Sequence, residues 1–301
     1  MKSLLVIFAH PDDESHGPAG TFAKYAREGV QVHYLCATRG EAGVVDSSVL
    51  QNGDSVADLR TAEVKQAGLE LGLASINFLG YRDSGMEGSL DNQQCESLYM
   101  ASLNEVATRI AGYIQRLRPD AIITHDQYGW YGHPDHIKCY QATLKAYELL
   151  YGIRIEHSGK QTLGLNIPRL YVSSFSKWLL KIVVRLMPLL GRDPHRHGQN
   201  QDVDLVKIAS WNVPTTARIH VGDYLAIKDR AIACHASQRP LAETKNKLLS
   251  ILMRWMESSE CFCRLYPPVA RGEAVETSLL ELDQTHSALQ FAETLVVSSR
   301  A

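Results

Sequence analysis

The six cysteines, at positions 36, 95, 139, 234, 261 and 263, include no CxxC pair. Neither a disulfide framework nor a cysteine-built zinc site is expected, whereas free thiols in a reducing, cytoplasmic compartment are. No apolar stretch reaches the ~18 residues that a membrane-spanning helix needs. The opening run MKSLLVIFAHPDDE passes straight from apolar into charged residues and has no small-residue cleavage site, so it reads as a buried first strand rather than a leader. Charge of one sign is not in excess: 31 basic residues face 33 acidic ones, for a formal net charge of −2. Nothing global drives the chain toward nucleic acid or acidic lipid. Internal repeats and low-complexity segments are lacking. The first strand-to-helix turn also lacks the bare glycines of a G-x-G-x-x-G phosphate loop. It carries HPDDESHGPAG instead, which argues against a dinucleotide-dependent enzyme.

What is present is 301 residues, 45% of them hydrophobic, enough for one large domain or a domain with an elaboration. Residues 3–9 form a continuous apolar run, as in a strand buried on both faces. Further strands are expected over 31–37, 76–79 and 120–124. Helices are expected over 20–29, 56–71, 98–117 and 137–150, with Gly72 as a C-terminal cap and Arg118-Pro119 as a stop. Strand and helix in alternation imply an α/β fold with a mostly parallel sheet covered on both faces, and ligands in such sheets sit at the carboxyl ends of the strands.

After about residue 151 the pattern loosens. Residues 157–169 read as loop, and 191–202 as a polar, breaker-rich loop. Between them, 174–190 is apolar but carries Lys177, Lys181 and Arg185 at every fourth position, on one helical face. A possible strand follows at 205–211, then helices at 224–235 and 245–258, a strand at 261–266, and a helical pattern around 279–289.

Two motifs carry chemistry, and each directly follows an expected strand. In His10-Pro11-Asp12-Asp13-Glu14, His10 and Asp13 are three apart and can point at one centre. Imidazole and carboxylate both bind zinc, at ~2.0–2.2 Å. In Tyr131-Gly132-His133-Pro134-Asp135-His136, two histidines flank a helix start, with Pro134 suited to the first helical position. A cluster of acids and histidine is often only a solvated helix start, and a lone histidine there is often only a cap. The two motifs together instead offer three protein ligands and an open fourth position, the arrangement of a catalytic rather than a structural metal. Such an ion lowers the pKa of bound water to ~7. Asp12 is available as general base, and His133 as a spare imidazole for an oxyanion or a leaving nitrogen.

AHPDDE near the N-terminus followed by YGHPDH resembles the PIG-L/LmbE-like family of zinc-dependent N-acetylglucosamine deacetylases. Arg60-Thr61-Ala62-Glu63 resembles the family's RxxE helix, and Leu79-Gly80-Tyr81-Arg82-Asp83 its substrate-side loop. Lys228 through Gln238 resembles its KxxAxxxHxSQ stretch, and Glu260-Cys261-Phe262 a segment near the domain's end. The resemblance implies a Rossmann-like fold, with zinc held by His10, Asp13 and His136, although iron or cobalt also suits such a donor set. It implies Asp12 as the base acting on a metal-activated water. His133, cationic and positioned by Asp135, would stabilise the tetrahedral intermediate together with Tyr131 from a mobile loop. Arg60 and Asp83 would hold sugar hydroxyls or a neighbouring group, with His235 and Gln238 lining the pocket or supporting it. The expected reaction is hydrolysis of the acetamido group of an N-acetylglucosamine-type conjugate.

An amidase acting on another acyl-amide or a thiol-sugar conjugate is the nearest alternative. A non-catalytic sugar- or metal-binding protein has no need of a base beside an open metal site. Glu14 is expected to support the ligands rather than join them, His16 to start a helix, and His33 to pack within its strand. His125 and Asp126 suit a pocket wall and a structural role equally. The expected organisation is one deacetylase domain over 1–275 and a helical tail over 276–301. An insertion over 157–204 serves as a lid, a dimer contact or a basic amphipathic surface resting on a membrane. The expected partner is a small-molecule sugar conjugate, with no nucleic acid.

Overall fold

The apolar N-terminal run forms β1 (Ser3–Phe8), whose side chains pack on two faces at once. Leu4, Val6 and Phe8 join one core cluster, and Leu5 and Ile7 join another. The computed structural model describes residues 1–45, 50, 54–155, 167–175, 177–196, 203–238, 254 and 257–280.

A short helix, α1 (Asp13–His16), turns the chain into α2 (Ala19–Arg27), β2 (Gln31–Cys36), α3 (Val56–Leu71) and β3 (Ser75–Phe78). Then come α4 (Leu103–Leu117), β4 (Ala121–Thr124), α5 (Gly129–Gly132), α6 (Pro134–Tyr151) and β5 (Arg169–Ser174). The second half adds α7 (Trp178–Leu186), α8 (Leu205–Ser210), β6 (Ala217–His220), α9 (Leu225–Cys234) and β7 (Ser259–Tyr266). The strands lie in the order β3-β2-β1-β4-β5-β7-β6. The first five run parallel, and β7 and β6 close the sheet antiparallel. Phe22 and Tyr25 of α2 and Val64 of α3 cover one face, while Ile110 of α4 and Cys139 and Ala146 of α6 cover the other. The fold is thus α/β with helices on both faces, and its sheet is mixed.

Helix limits follow local chemistry. Ser55 and Asp58 form a reciprocal capping box at the start of α3, and Gly72, at φ 74°, ends it with its N–H on the Gly68 carbonyl. Helix α4 begins five residues later than the apolar pattern suggested. Ser102 caps it by accepting from the Glu105 N–H; residues 98–100 are turns, and Ser97 before them pairs with Arg82 as a β-bridge.

Three elements differ from expectation. Strand β5, most of which was assigned to no element, is a fully buried member of the sheet within the stretch 157–204. Residues 205–210, read as strand, form α8, because Asp204 accepts the Lys207 N–H and nucleates a helix. Strand β6 alternates buried and exposed residues at the sheet's edge and was not anticipated. The expected helix over 245–258 lies mostly outside the described residues. Of the expected tail, 281–301 also lie outside them. Glu276 pairs with Ala217 as a β-bridge, and Leu279 enters the core.

The motif residues Lys228 and Glu260 serve the frame. Glu260, from β7, accepts from the N–H groups of Gly20 (3.1 Å) and Thr21 (2.7 Å), capping α2. Lys228 Nζ reaches the same carboxylate at 3.0 Å and the Gly17 carbonyl at 2.8 Å. Replacing Glu260 leaves a buried helix start unpaired and takes from the Lys228 amine its counter-charge. Glu260→Ala is expected to lower unfolding free energy by about 2–4 kcal/mol, read as a shift in denaturant midpoint.

Candidate active site

Both chemical motifs stand at the point where the strand order reverses. From β1 the chain moves to β2 on one side, and β4 lies on the other, in register from Leu4↔Ala121 to Ile7↔Thr124. A crevice opens at such a switch point beyond the carboxyl ends of the strands. Residues 9–13 leave β1 there, and residues 125–136 leave β4. The Ala9 N–H donates to His125 Nε2 at 3.0 Å and ties the two turns together.

The expected metal ligands converge. His10 Nδ1 lies 3.1 Å from His136 Nε2, His136 Nε2 lies 3.4 Å from Asp13 Oδ1, and His10 Nδ1 approaches Asp13 Oδ2 to 3.6 Å. Donors bound tetrahedrally at ~2.0–2.2 Å stand ~3.3–3.6 Å apart. The two imidazole nitrogens are slightly closer than that, and each falls within it of one Asp13 oxygen, Oδ1 for His136 and Oδ2 for His10, so the residues are near the spacing of a small divalent ion's ligands. His10 Nε2 faces the carboxylates of Asp135 (3.3 Å) and Asp83 (3.4 Å), which favour a proton on that nitrogen; against burial, they and Asp13 raise the His10 pKa well above its ordinary value. A cation at Nδ1 would take the place of the second proton, and two imidazole nitrogens at 3.1 Å with a carboxylate oxygen are a donor set that suits one. His136 Nδ1 has no partner among the described residues. Two groupings share His136, one with His10 and His133 and one with Asp13 and His125, and a third joins His10 to Asp83 and Asp135 on its Nε2 side.

Asp13 is fixed by the N–H groups of Ala9 (3.1 Å) and His10 (2.8 Å) on its Oδ2. Burial works against its charge, but His136 and His125 hold its carboxyl well below the usual range. His125 lies beneath the site, not on its wall. It is fully buried, its ring stacks on His136 at 3.8 Å, and burial with the His136 charge pushes it down to about 3. It serves as a neutral platform.

Asp12 occupies the mouth. Its φ of 114° is strained for a side-chain-bearing residue, and strain of this kind gathers at functional turns. Its N–H donates to Glu14 Oε2 at 2.9 Å, and its carboxylate meets Arg60 Nη2 at 3.1 Å. Burial raises its proton affinity and outweighs the Arg60 charge, which favours a base.

The other expected site residues divide. A cleft of ≈ 680 Å³ is lined by His10, Asp12, Arg60, Asp83, Tyr131, His133 and Gln238. Arg60 does more than line it. Its guanidinium donates to the carbonyls of Pro11 and Gly40 and so clamps the Asp12 turn. Asp83 leans on His10 and accepts the Gly85 N–H at 2.9 Å. His235 is not at the cleft. It is 1% exposed, its Nε2 meets Glu14 Oε1 at 2.6 Å, and the Glu14 carboxylate raises its pKa despite burial. Its part is to hold Glu14, and through Glu14 the Asp12 N–H. Tyr131 is 37% exposed and sets its ring edge-on to His133 and His136.

Two expectations about the second motif need correction. The Asp135 carboxylate does not position His133. Its Oδ2 accepts the Ser84 N–H at 2.9 Å and faces His10. It is the backbone N–H of Asp135 that donates to His133 Nδ1, at 3.2 Å. The second is the charge expected on His133: burial and the adjacent His10 and His136 push its pKa well down, and its Nδ1 accepts the Asp135 N–H, an arrangement that suits a neutral ring with its proton on Nε2.

The sequence did not point to Trp130. Its φ of 61° and ψ of −65° are the dihedrals of a strained γ-turn. Its ring lies against Phe8, His125 and His136, and its Nε1 donates to Ser173 at 2.8 Å. An aromatic residue flanked by Gly129 and preceded by Asp126, which accepts its N–H, is the signal that was available.

The family described as "PIG-L: GlcNAc-PI de-N-acetylase" matches residues 5–147. A 1D-myo-inositol 2-acetamido-2-deoxy-alpha-D-glucopyranoside deacetylase from Thermomonospora curvata is 38% identical over 157 residues. That alignment takes in 49% of this chain and 53% of the relative, so the chain spans about half of that relative's length. A protein of the same description from Acidothermus cellulolyticus is 32% identical over 247 residues, covering 79% of this chain and 80% of the relative. Among solved structures, the N,N'-diacetylchitobiose deacetylase of Pyrococcus horikoshii superposes with a TM-score of 0.56 at 20% identity, covering 87% of this chain and 83% of that one. That likeness concerns the fold.

Proposed function

The chain belongs to the PIG-L family, and from that premise we propose that its cleft removes the N-acetyl group from an N-acetylglucosamine-type sugar conjugate by metal-dependent hydrolysis. The observation that carries the reading is the convergence of His10, Asp13 and His136 on one centre with Asp12 beside them at the mouth. These three residues would hold the ion, which we take to be zinc. When bound, it would polarise the acyl oxygen and lower the pKa of a water molecule toward ~7.

The chain's own groups do the rest. Asp12 accepts the proton of the attacking water, and Arg60 and the Asp12 N–H bond to Glu14 keep its carboxylate aimed. His133, neutral and protonated on Nε2, donates a hydrogen bond to the developing oxyanion, with the Tyr131 hydroxyl as a second donor. Both donors are uncharged, so they favour the transition state without repelling the bound cation. Gln238 and Asp83 offer polar contacts to sugar hydroxyls from the cleft wall. As the carbon–nitrogen bond breaks, a proton from Asp12 or from His133 passes to the leaving nitrogen, and the products are acetate and a free amine. The wide, polar cleft suits a small-molecule conjugate.

The direct test is to incubate the protein with a panel of N-acetylglucosamine conjugates and measure amine and acetate together. Equal release of both supports the reading. Release from longer acyl-amides or a thiol-sugar conjugate but from no acetamido sugar would transfer the chain to the alternative amidase chemistry.

A further inference from the structure

Helix α7 and the turn Met187–Leu190 that follows it carry apolar side chains that the fold does not cover. Ile182, Leu186 and Leu189 are 42%, 49% and 80% exposed, and Val183 beside them is 39% exposed. Positions 182, 186 and 189 repeat at i, i+4 and i+7 and therefore make a continuous stripe. Met187 turns inward, at 6%, and ties the turn to the body. Lys181 and Arg185, each one position before a stripe residue, run alongside it and are exposed. Arg192 and Arg196 continue the basic line past the turn, also exposed.

The sequence around this face is unusual in one respect. From residue 157 to residue 192 there is no Asp or Glu, although the chain has 33 in 301 residues. At that density about four would be expected in a stretch of this length. The near-zero charge of the whole chain conceals a local excess of cations.

An aliphatic ridge flanked by long cationic side chains matches a surface that is apolar below and anionic above. A bilayer with acidic headgroups has that chemistry, and Lys and Arg stems can lie along the ridge while their heads reach phosphates. A second copy of this face would set Lys181 and Arg185 against their own kind, and like charges oppose pairing. No described helix is long and apolar enough to cross a membrane, so the contact is with the surface.

We propose that α7 and the turn Met187–Leu190 rest on an anionic lipid bilayer, with Ile182, Leu186 and Leu189 among the upper acyl chains and Lys181, Arg185 and Arg192 at the headgroups. Helix α7 packs on α8, and α8 on α5, which carries Tyr131. The bilayer would therefore lie on the flank of the fold that supports the cleft. This inference does not depend on the reaction performed there.

The test is cosedimentation of the full chain with vesicles of phosphatidylcholine alone and of phosphatidylcholine mixed with phosphatidylglycerol. The expected result is strong partitioning to the mixed vesicles that weakens with salt, and weak partitioning to the neutral ones. The pairs Lys181→Glu with Arg185→Glu, and Leu186→Glu with Leu189→Glu, should each reduce partitioning at least tenfold. Their thermal unfolding and their turnover of a soluble substrate should stay unchanged, which shows that the fold survives. Wild-type protein that ignores the mixed vesicles, or paired variants that partition as it does, would overturn the proposal. So would a Leu186→Glu and Leu189→Glu variant that loses a dimer in light scattering while vesicle binding is unaltered, since the face would then belong to a second copy.

Discussion

Asp12→Asn is expected to keep its bound metal and lose between ~10² and ~10⁴ of turnover, the range of a removed general base. Asn preserves the shape at a strained position, φ 114°, which it tolerates better than most residues. It also preserves a hydrogen-bond partner for Arg60, so the turn that carries His10 and Asp13 should hold. What it removes is the lone pair with raised proton affinity at the mouth of the site. KM should change little, because the interaction lost belongs to the transition state rather than to substrate binding. Metal analysis and steady-state kinetics on the same preparation check both halves. An Asp12→Asn variant turning over at the wild-type rate would remove Asp12 from the base role.

His136→Ala is expected to behave in the opposite way, losing the metal and with it all measurable hydrolysis. His136 is fully buried, and its Nε2 is common to the two shortest contacts of the donor set. Two donors bind a divalent ion far less tightly than three, and the vacated volume would sit between the rings of His125 and Tyr131. His136→Gln, which fills more of that volume, separates lost ligation from lost folding. Both variants should bind less than about a tenth of the wild-type metal after dialysis, while His136→Gln still unfolds cooperatively. Near-stoichiometric metal in both would mean that the ion is held instead by His10 with Asp83 and Asp135, the grouping that omits His136.

Much of the site could be read from residue order alone, because its two motifs each place two chemical groups three residues apart after a strand. The apolar run of β1 required cover on two faces, and Ser55 and Gly72 marked the ends of α3 by cap chemistry. What the order of residues could not supply was the register between β1 and β4. That register sets Ala9 against His125 and slides Asp135 under His10, so the carboxylate next to His133 in sequence supports a different histidine in space. His235 and Glu14, 221 positions apart, meet only because α9 packs against α1. Strand β5 escaped notice because its six residues carry two serines and an arginine. That arginine is buried, since Arg169 and Arg264 share the Glu276 carboxylate. Helix α8 escaped because its apolar residues fit either period, and the Asp204 cap decides between them.

The central claim is that hydrolysis depends on an ion held by His10, Asp13 and His136. Metal content and amine release should be measured on the same samples through chelation and stepwise zinc re-addition. The account predicts that release falls with the metal removed and returns fully at about one ion per chain. Metal-free protein that releases amine at the untreated rate would contradict it.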